Sequence, residues 1–194
     1  IKKYFECSEL SKVHEIYGTD FDILTLKTDQ STLYHKKFYS MEKNTKFYSM
    51  YRSFIKNEIQ PLFKEEIIFQ KIPTFRTQVP NNLGVAEWHK DSDYNHFKDE
   101  INVYLPLTKA YNNTTIWAES QPGKKDFTPM NADIGDYYIW HGSNLIHGNK
   151  VNNTNLSRVS IDFRVLPISK YYENDKKTTS HEMKMSLGHY FDKF

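Results

Sequence analysis

The apolar residues of this chain follow two different periods. Before about residue 65, Phe47, Met50, Tyr51, Phe54, Ile55, Ile59, Leu62 and Phe63 recur at steps of three and four. That spacing predicts one amphipathic helix, opened by Asn44 or Thr45 as N-cap and closed near Pro61. A shorter helix is expected over residues 31–42. The aromatic stripe reads as a core-facing surface. From about residue 66 the period shortens to two. Strands are expected at Ile67 to Phe69, at 101–107, at 114–119, and at 136–140 after a turn at Gly135. The clearest strand is Arg158 to Val165, where apolar and polar residues alternate strictly, as on a strand with two different faces. Several short strands separated by turn residues predict a barrel or two-sheet jelly roll. Helices first and strands after give an α+β class, with the helices packed on one outer sheet face. The expected organisation is a single domain over 1–194, with a helical part to 65, a jelly-roll core over 66–168 and a tail from 169.

Composition narrows the class. Aromatic residues make up 15% of the chain, too many for a disordered segment. The net charge is +2 with lysines and acids interspersed, so no nucleic-acid footprint is expected. No apolar run approaches the length of a membrane-spanning helix. A single cysteine, Cys7, excludes an intrachain disulfide and points to a reducing, cytoplasmic home. Cys7 itself reads as an inert side chain. The Asn-x-Ser/Thr matches at Asn112, Asn113, Asn152 and Asn155 are what an Asn-rich chain contains by chance. The expected partner is a small-molecule substrate, and the oligomeric state is left open.

The candidate chemistry lies in three segments. His89-Lys90-Asp91 carries a histidine and a carboxylate two residues apart, which project to the same side of an extended segment. Far downstream stands His147, with His141 six residues before it as a competitor. Two His and one carboxylate on one face of an octahedron leave open positions for oxygen chemistry. Taken alone, His-x-Asp is a weak signal, equally compatible with a hydrated polar loop. Arg158 then begins the alternating strand, with Ser160 on the same face. A guanidinium in a half-apolar strand is costly unless an anion pairs with it. The distal carboxylate of 2-oxoglutarate is such an anion, held by two parallel hydrogen bonds and a serine hydroxyl. The alternative is a surface strand whose arginines and Asp162 form exposed ion pairs.

With these segments in order, the chain resembles the Fe(II)/2-oxoglutarate-dependent oxygenases with a double-stranded β-helix (jelly-roll, cupin-like) core. The likeness is to the branch that includes a streptomycin-biosynthesis oxygenase and, more distantly, to the phytanoyl-CoA hydroxylase group. It is carried by Phe75 to Pro80, Trp88 to His96, Ile101 to Thr108, His147-Gly148-Asn149 and Ser157 to Val165, about half the chain. The resemblance implies that His89, Asp91 and His147 hold Fe(II) and that Arg158 anchors 2-oxoglutarate with Ser160 as helper. It implies O2 as co-reactant and hydroxylation of a small polar metabolite, such as a sugar, aminocyclitol or nucleotide-linked sugar. Family spacing to Arg158 selects His147 over His141, which then serves to cap the preceding strand or turn. An acid at position 91, where the related halogenases carry a small residue, speaks against halogenation.

Other residues keep two readings each. Asn102 faces 2-oxoglutarate or bonds to backbone. Asp93, Tyr94 and His96, in the loop after the metal motif, touch substrate or water. Arg76, Gln78 and Arg164 bind an anionic substrate group or pair structurally, Arg164 with Asp162 or another acid. His14, His35, His181 and His189 are expected on the surface. Two rival functions remain: a non-catalytic jelly-roll carbohydrate- or metabolite-binding protein, and a cupin-like metalloenzyme that uses no 2-oxoglutarate.

Overall fold

A computed structural model describes residues 1–19, 22–179 and 182–194. Three short helices come first: α1 (Val13–Tyr17), α2 (Leu33–Tyr39) and α3 (Lys46–Phe54). Strands β1 (Ile67–Gln70), β2 (Thr74–Gln78) and β3 (Ile101–Pro106) follow, then the two-residue strands β4 (Trp117–Ala118) and β5 (Thr128–Pro129). The chain continues through β6 (Tyr138–Trp140), β7 (His147–Gly148) and the long β8 (Arg158–Pro167), and β9 (Phe191–Asp192) lies near its end. All strand pairs are antiparallel. The larger sheet runs β6-β3-β8-β1-β9, with β2 also on β8; the smaller runs β5-β4-β7. The chain is an α+β protein with a double-stranded β-helix core, the class expected from its periodicity.

β8 organises the larger sheet. It pairs along one edge with β3; along the other, β2 takes its first half and β1 its second. Its odd residues, Val159, Ile161, Phe163 and Val165, join Phe75, Val103, Ile67 and Phe69 in the main core. The helices supply the other half of that core. Phe38 stacks on Phe75 at 4.5 Å, Phe5 from the turn before the helices also stacks on it at 5.4 Å, and Tyr51 meets Phe163 edge-on at 5.1 Å. The outer sheet face is therefore covered by the N-terminal helices, as alternation and element order require.

Several expectations need correction. The single long helix ends as regular α-helix at Phe54, continues as a wide π turn over Ile55–Ile59 and finishes as a 3-10 turn at Gln60–Leu62. Pro61 explains this, because it lacks an N–H and its ring crowds the carbonyl four residues back. The buried stripe includes Tyr48, while Met50 and Leu62 stay exposed. Thr45 is the N-cap. The strand expected over 114–119 shrinks to Trp117–Ala118, preceded by a 3-10 turn at Asn112–Thr114. Two histidines expected on the surface are not there: His35 is fully buried with Nδ1 2.7 Å from Thr32 Oγ1, and His14 is half-buried against Ser157 at 2.7 Å. His189 is exposed, and His181 lies outside the described residues. Among the described residues, no helix is long and apolar enough to cross a membrane.

Candidate metal centre

The even residues of β8 build the other face of the sheet. Arg158, Ser160, Asp162 and Arg164 point inward, beside Thr74, Arg76 and Gln78 of β2 and Asn102 of β3, and all are buried. A polar face that water does not reach must satisfy its groups internally or with a ligand.

His89 and His147 meet by backbone pairing. Each donates its N–H to the other's carbonyl at 2.9 Å, forming an antiparallel bridge. Directly opposed residues of such a pair send their side chains to one face, and the two rings lie 4.5 Å apart. Asp91, two residues on, opens the 3-10 turn Asp91–Tyr94 with its N–H on the Gly142 carbonyl at 3.0 Å. Its Oδ1 lies 3.4 Å from His89 Nε2 and 3.5 Å from His147 Nε2.

The protons of the two rings can be assigned. Nδ1 of His89 lies 2.9 Å from the Glu87 carbonyl, and Nδ1 of His147 lies 2.9 Å from the Leu145 carbonyl. A carbonyl only accepts, so each Nδ1 donates and, in a neutral ring, each Nε2 presents a lone pair. Two lone pairs and a carboxylate oxygen thus converge, with one ligand atom from each residue all within 4.8 Å of one another. Such a set of donors can hold a divalent cation. Burial alone raises the Asp91 carboxyl, but the Arg164 guanidinium leads the opposing influences, and the carboxyl lies well below the usual carboxylate range.

Glycines permit the close packing around these groups. A Cβ on Gly148 would sit 2.6 Å from the Trp88 ring, and one on Gly142 2.5 Å from the Asn102 amide. The Trp88 ring therefore packs directly against Gly148, next to the histidine bridge, and the 141–143 turn rests on Asn102. His141, the competitor for the distal position, is exposed, and its carbonyl accepts from Asn144 and Leu145 in a turn.

Arg158 lies beyond the cluster in a small inner chamber of about 30 Å³, lined also by Asn102, Trp140, His147 and Asn149. Its guanidinium donates to Ser160 Oγ at 2.7 Å, to the Thr114 carbonyl at 3.3 Å and to Gln78 Oε1 at 3.4 Å. Among the described residues no carboxylate pairs with it, and burial pulls its pKa down. The buried indole N–H of Trp140 also has no hydrogen-bond partner there.

Arg76, Val85, His89 and Arg164 line both this chamber and a much larger cavity of about 650 Å³. Tyr94 and His96 face the large cavity. His96 is oriented by the fully buried Glu100, with Nδ1 2.7 Å from its carboxylate. Tyr94 donates to Glu87 at 2.5 Å, and burial with that bond pushes its hydroxyl up to about 12.

Other candidates sit elsewhere. Asp93 is exposed, lines neither space and accepts from the Lys90 N–H at 3.1 Å. Gln78 is fully buried and spends its amide N–H groups on the carbonyls of Asn82, Asn113 and Lys150. Gln78, like Asp93, lines neither space. Arg164 reaches the cavity wall, but its guanidinium is engaged by Asp91, Asp162 and Thr74. Arg76 pairs with Asp29 at 2.6 Å and lies 3.7 Å from Asp162. Asn102 donates to Asp91 Oδ2 at 2.7 Å.

Sequence reasoning did not identify Glu100, although it stands only four residues after His96. Nor did it find Asp29, Thr178, Met183 or Tyr190, cavity-wall residues from the two terminal segments; no spacing signal leads to these.

No family model matches the chain. The streptomycin biosynthesis protein StrG of Streptomyces griseus is 39% identical over 171 residues, covering 88% of this chain and 80% of that protein. Among solved structures, the non-haem monooxygenase ThoJ in a nickel complex aligns with a TM-score of 0.45 and 14% identity over 56% of this chain and 48% of that one. EvdMO1 aligns with a TM-score of 0.40 and 19% identity over 50% of this chain and 27% of that one. With 39% identity sustained across 88% of its length, the chain belongs to the family of the streptomycin biosynthesis protein StrG.

Proposed function

We propose that this protein is a non-haem Fe(II)/2-oxoglutarate-dependent oxygenase that hydroxylates a small polar metabolite, such as a sugar, an aminocyclitol or a nucleotide-linked sugar. The observation that carries the reading is Arg158: a buried guanidinium without a carboxylate partner among the described residues, in a chamber walled by two of the candidate metal ligands and their supports. A lectin-like module has no use for such a group.

Charge counting supports the same conclusion. Lys27, Lys43 and Glu87 of the large cavity are solvent-exposed, and the charged side chains of the two spaces that are withdrawn from solvent are Asp29, Asp91 and Asp162 against Arg76, Arg158 and Arg164. Three negative and three positive charges cancel. A divalent cation entering this shielded region is balanced when a dianion accompanies it. A dicarboxylate with one end at the metal and the other on Arg158 and Ser160 meets that need.

In this proposal His89, Asp91 and His147 hold Fe(II), and bound Fe(II) with 2-oxoglutarate and O2 supplies the oxidant for C–H hydroxylation, 2-oxoglutarate leaving as succinate and CO2. The chain supplies position and dryness. Leu145 and Glu87 carbonyls fix both imidazoles; Ser160, Thr114 and Gln78 fix Arg158; Trp88 and Trp140 shield the bridge. A five-carbon diacid exceeds 30 Å³, so its uptake draws on the adjoining space across Val85 and His89. Substrate occupies the large cavity, whose size suits a molecule of one or more sugar rings and whose wall offers Tyr94, His96 and Arg76. The relative named for streptomycin biosynthesis fits a polar biosynthetic intermediate.

The test is spectroscopic. Anaerobic addition of Fe(II) and 2-oxoglutarate is expected to give a weak visible charge-transfer band, absent in His89→Ala and lost or shifted in Arg158→Met. No band with the native protein, or turnover that ignores 2-oxoglutarate, would replace this reading with a cupin-type metalloenzyme; failure to bind metal at all would favour a binding protein.

A further inference from the structure

The two oxygens of Asp91 live in different surroundings. Oδ1 faces the imidazoles. Oδ2 accepts from Asn102 Nδ2 at 2.7 Å, from Arg164 Nε at 3.1 Å and from Arg164 Nη2 at 2.9 Å. Three donors crowd one oxygen, and both N–H groups along one edge of a guanidinium converge on it. Arg164 cannot swing away. Its Nη1 donates to Asp162 at 2.7 Å and to Thr74 Oγ1 at 3.2 Å, and its backbone N–H donates to Gln70 Oε1 at 3.3 Å. The side chain is buried, and Asp162 is in turn faced by Arg76.

A carboxylate can hold a cation with one oxygen or with both. The choice sets how many coordination positions stay open. An oxygen already accepting three charge-assisted hydrogen bonds has little lone-pair density left for a metal. We infer that Arg164, seconded by Asn102, is a positioning residue that confines Asp91 to one-oxygen ligation and thereby keeps an extra coordination position open. This rests on the metal site proposed above and adds a role that ligand identity alone does not imply. It also gives the residue pair Arg164 and Asp162 a task other than binding substrate.

The geometry requires a fork, not merely a positive charge. Lysine at 164 would keep the charge but present a single point donor. Asp91 would then be free to rotate and chelate with both oxygens. Outer partners of metal ligands typically matter by 10–100-fold in affinity.

The experiment uses Mn(II) alone, followed by ITC and by water-proton relaxation, which reports the number of fast-exchanging waters on the bound ion. Native protein is expected to bind Mn(II) with about three such waters, the complement of three protein ligands on an octahedron. Arg164→Lys is expected to lose at least one water and to change affinity by about tenfold. Asn102→Ala should move both readouts in the same direction by less. A purely structural role would change the melting temperature and leave the water number alone. If Arg164→Lys does not fold, Asn102→Ala and Asp162→Asn carry the test. Native binding with unchanged water number and affinity in the folded variants overturns this inference alone. Absence of Mn(II) binding by the native protein overturns it together with the proposed function.

Discussion

Arg158 and Gly84 form a pair whose fit is decided by one missing atom. A Cβ at Gly84 would lie 2.3 Å from Arg158 Nη2 and 3.2 Å from Asn149 Oδ1. The glycine lets the 82–86 turn press on the guanidinium and hold it against Ser160. Its backbone is one that alanine also adopts, so Gly84→Ala tests crowding and not strain. We expect the variant to displace Arg158 and to weaken 2-oxoglutarate binding by about tenfold or more, equivalent to ~1.4 kcal/mol. Mn(II) affinity measured without 2-oxoglutarate should stay at the native value. Parallel titrations with each ligand separate the two effects, and equal 2-oxoglutarate affinity in both proteins would remove Gly84 from the site. The histidines illustrate the same dependence on neighbours: His89, His147 and His96 differ from the turn residue His141 only in what lies beside them.

β8 is the element on which both halves of the molecule depend. Its odd residues pack against helices and its even residues face the chambers, so a single strand carries core and site together. Phe163, fully buried between Tyr51, Phe54 and the sheet, is a central contact of the outer face. Phe163→Ala leaves a large cavity and is expected to cost about 3–5 kcal/mol. Chemical denaturation should show this as a lower midpoint with an unchanged slope. Because Phe163 stands between Asp162 and Arg164, metal affinity should fall less than stability, provided the assay is run below the lowered melting temperature. A variant that kept native stability would mean that the helix layer contributes little to holding the strand. The strictly alternating sequence of β8 made it the most legible element. The two-residue strands β5, β7 and β9 were not legible, because no period shows in two residues and only their partners define them; β4 was legible only as part of a longer run.

Across the whole molecule, the segments with no recognisable motif supply much of the wall of the large cavity. Leu26, Lys27, Asp29, Gln30, Ser31 and Tyr39 come from the N-terminal part, and Thr178, Met183 and Tyr190 from the tail. The tail is held by β9 on β1, by a second core of Ile68, Phe97, Leu166, Met185, Tyr190 and Phe191, and by Arg52 on Asp192. Charge balance is likewise a property of the assembled whole, since Asp29, Arg76, Asp91, Arg158, Asp162 and Arg164 come from four separate segments. That balance predicts coupling. Mn(II) and 2-oxoglutarate should each tighten the other's binding by about 5–150-fold, and by equal factors. Calorimetric titrations in both orders check the reciprocity, and Arg158→Met should bring the factor close to one. Independent binding in the native protein would contradict the electrostatic argument.

How far the residues alone led differs by kind of feature. Fold class was readable because periodicity reports which faces seek burial, and a helix-period stripe followed by strand-period alternation admits few layer architectures. The candidate ligand trio was readable through the family resemblance, yet its convergence rests on a backbone bridge between residues 89 and 147 that no local signal encodes. The polar face of β8 kept two readings in sequence, an anion site out of water or an exposed strand of ion pairs; packing of the smaller sheet and the terminal segments over it made that face a closed ionic wall. For the same reason Arg164 and Gln78, each open to a substrate or a structural role in the linear chain, acquired their partners through folding. Local chemistry limits what a side chain can bind, whereas its actual neighbours come from contacts between residues far apart in the chain, and those exist only in the folded protein.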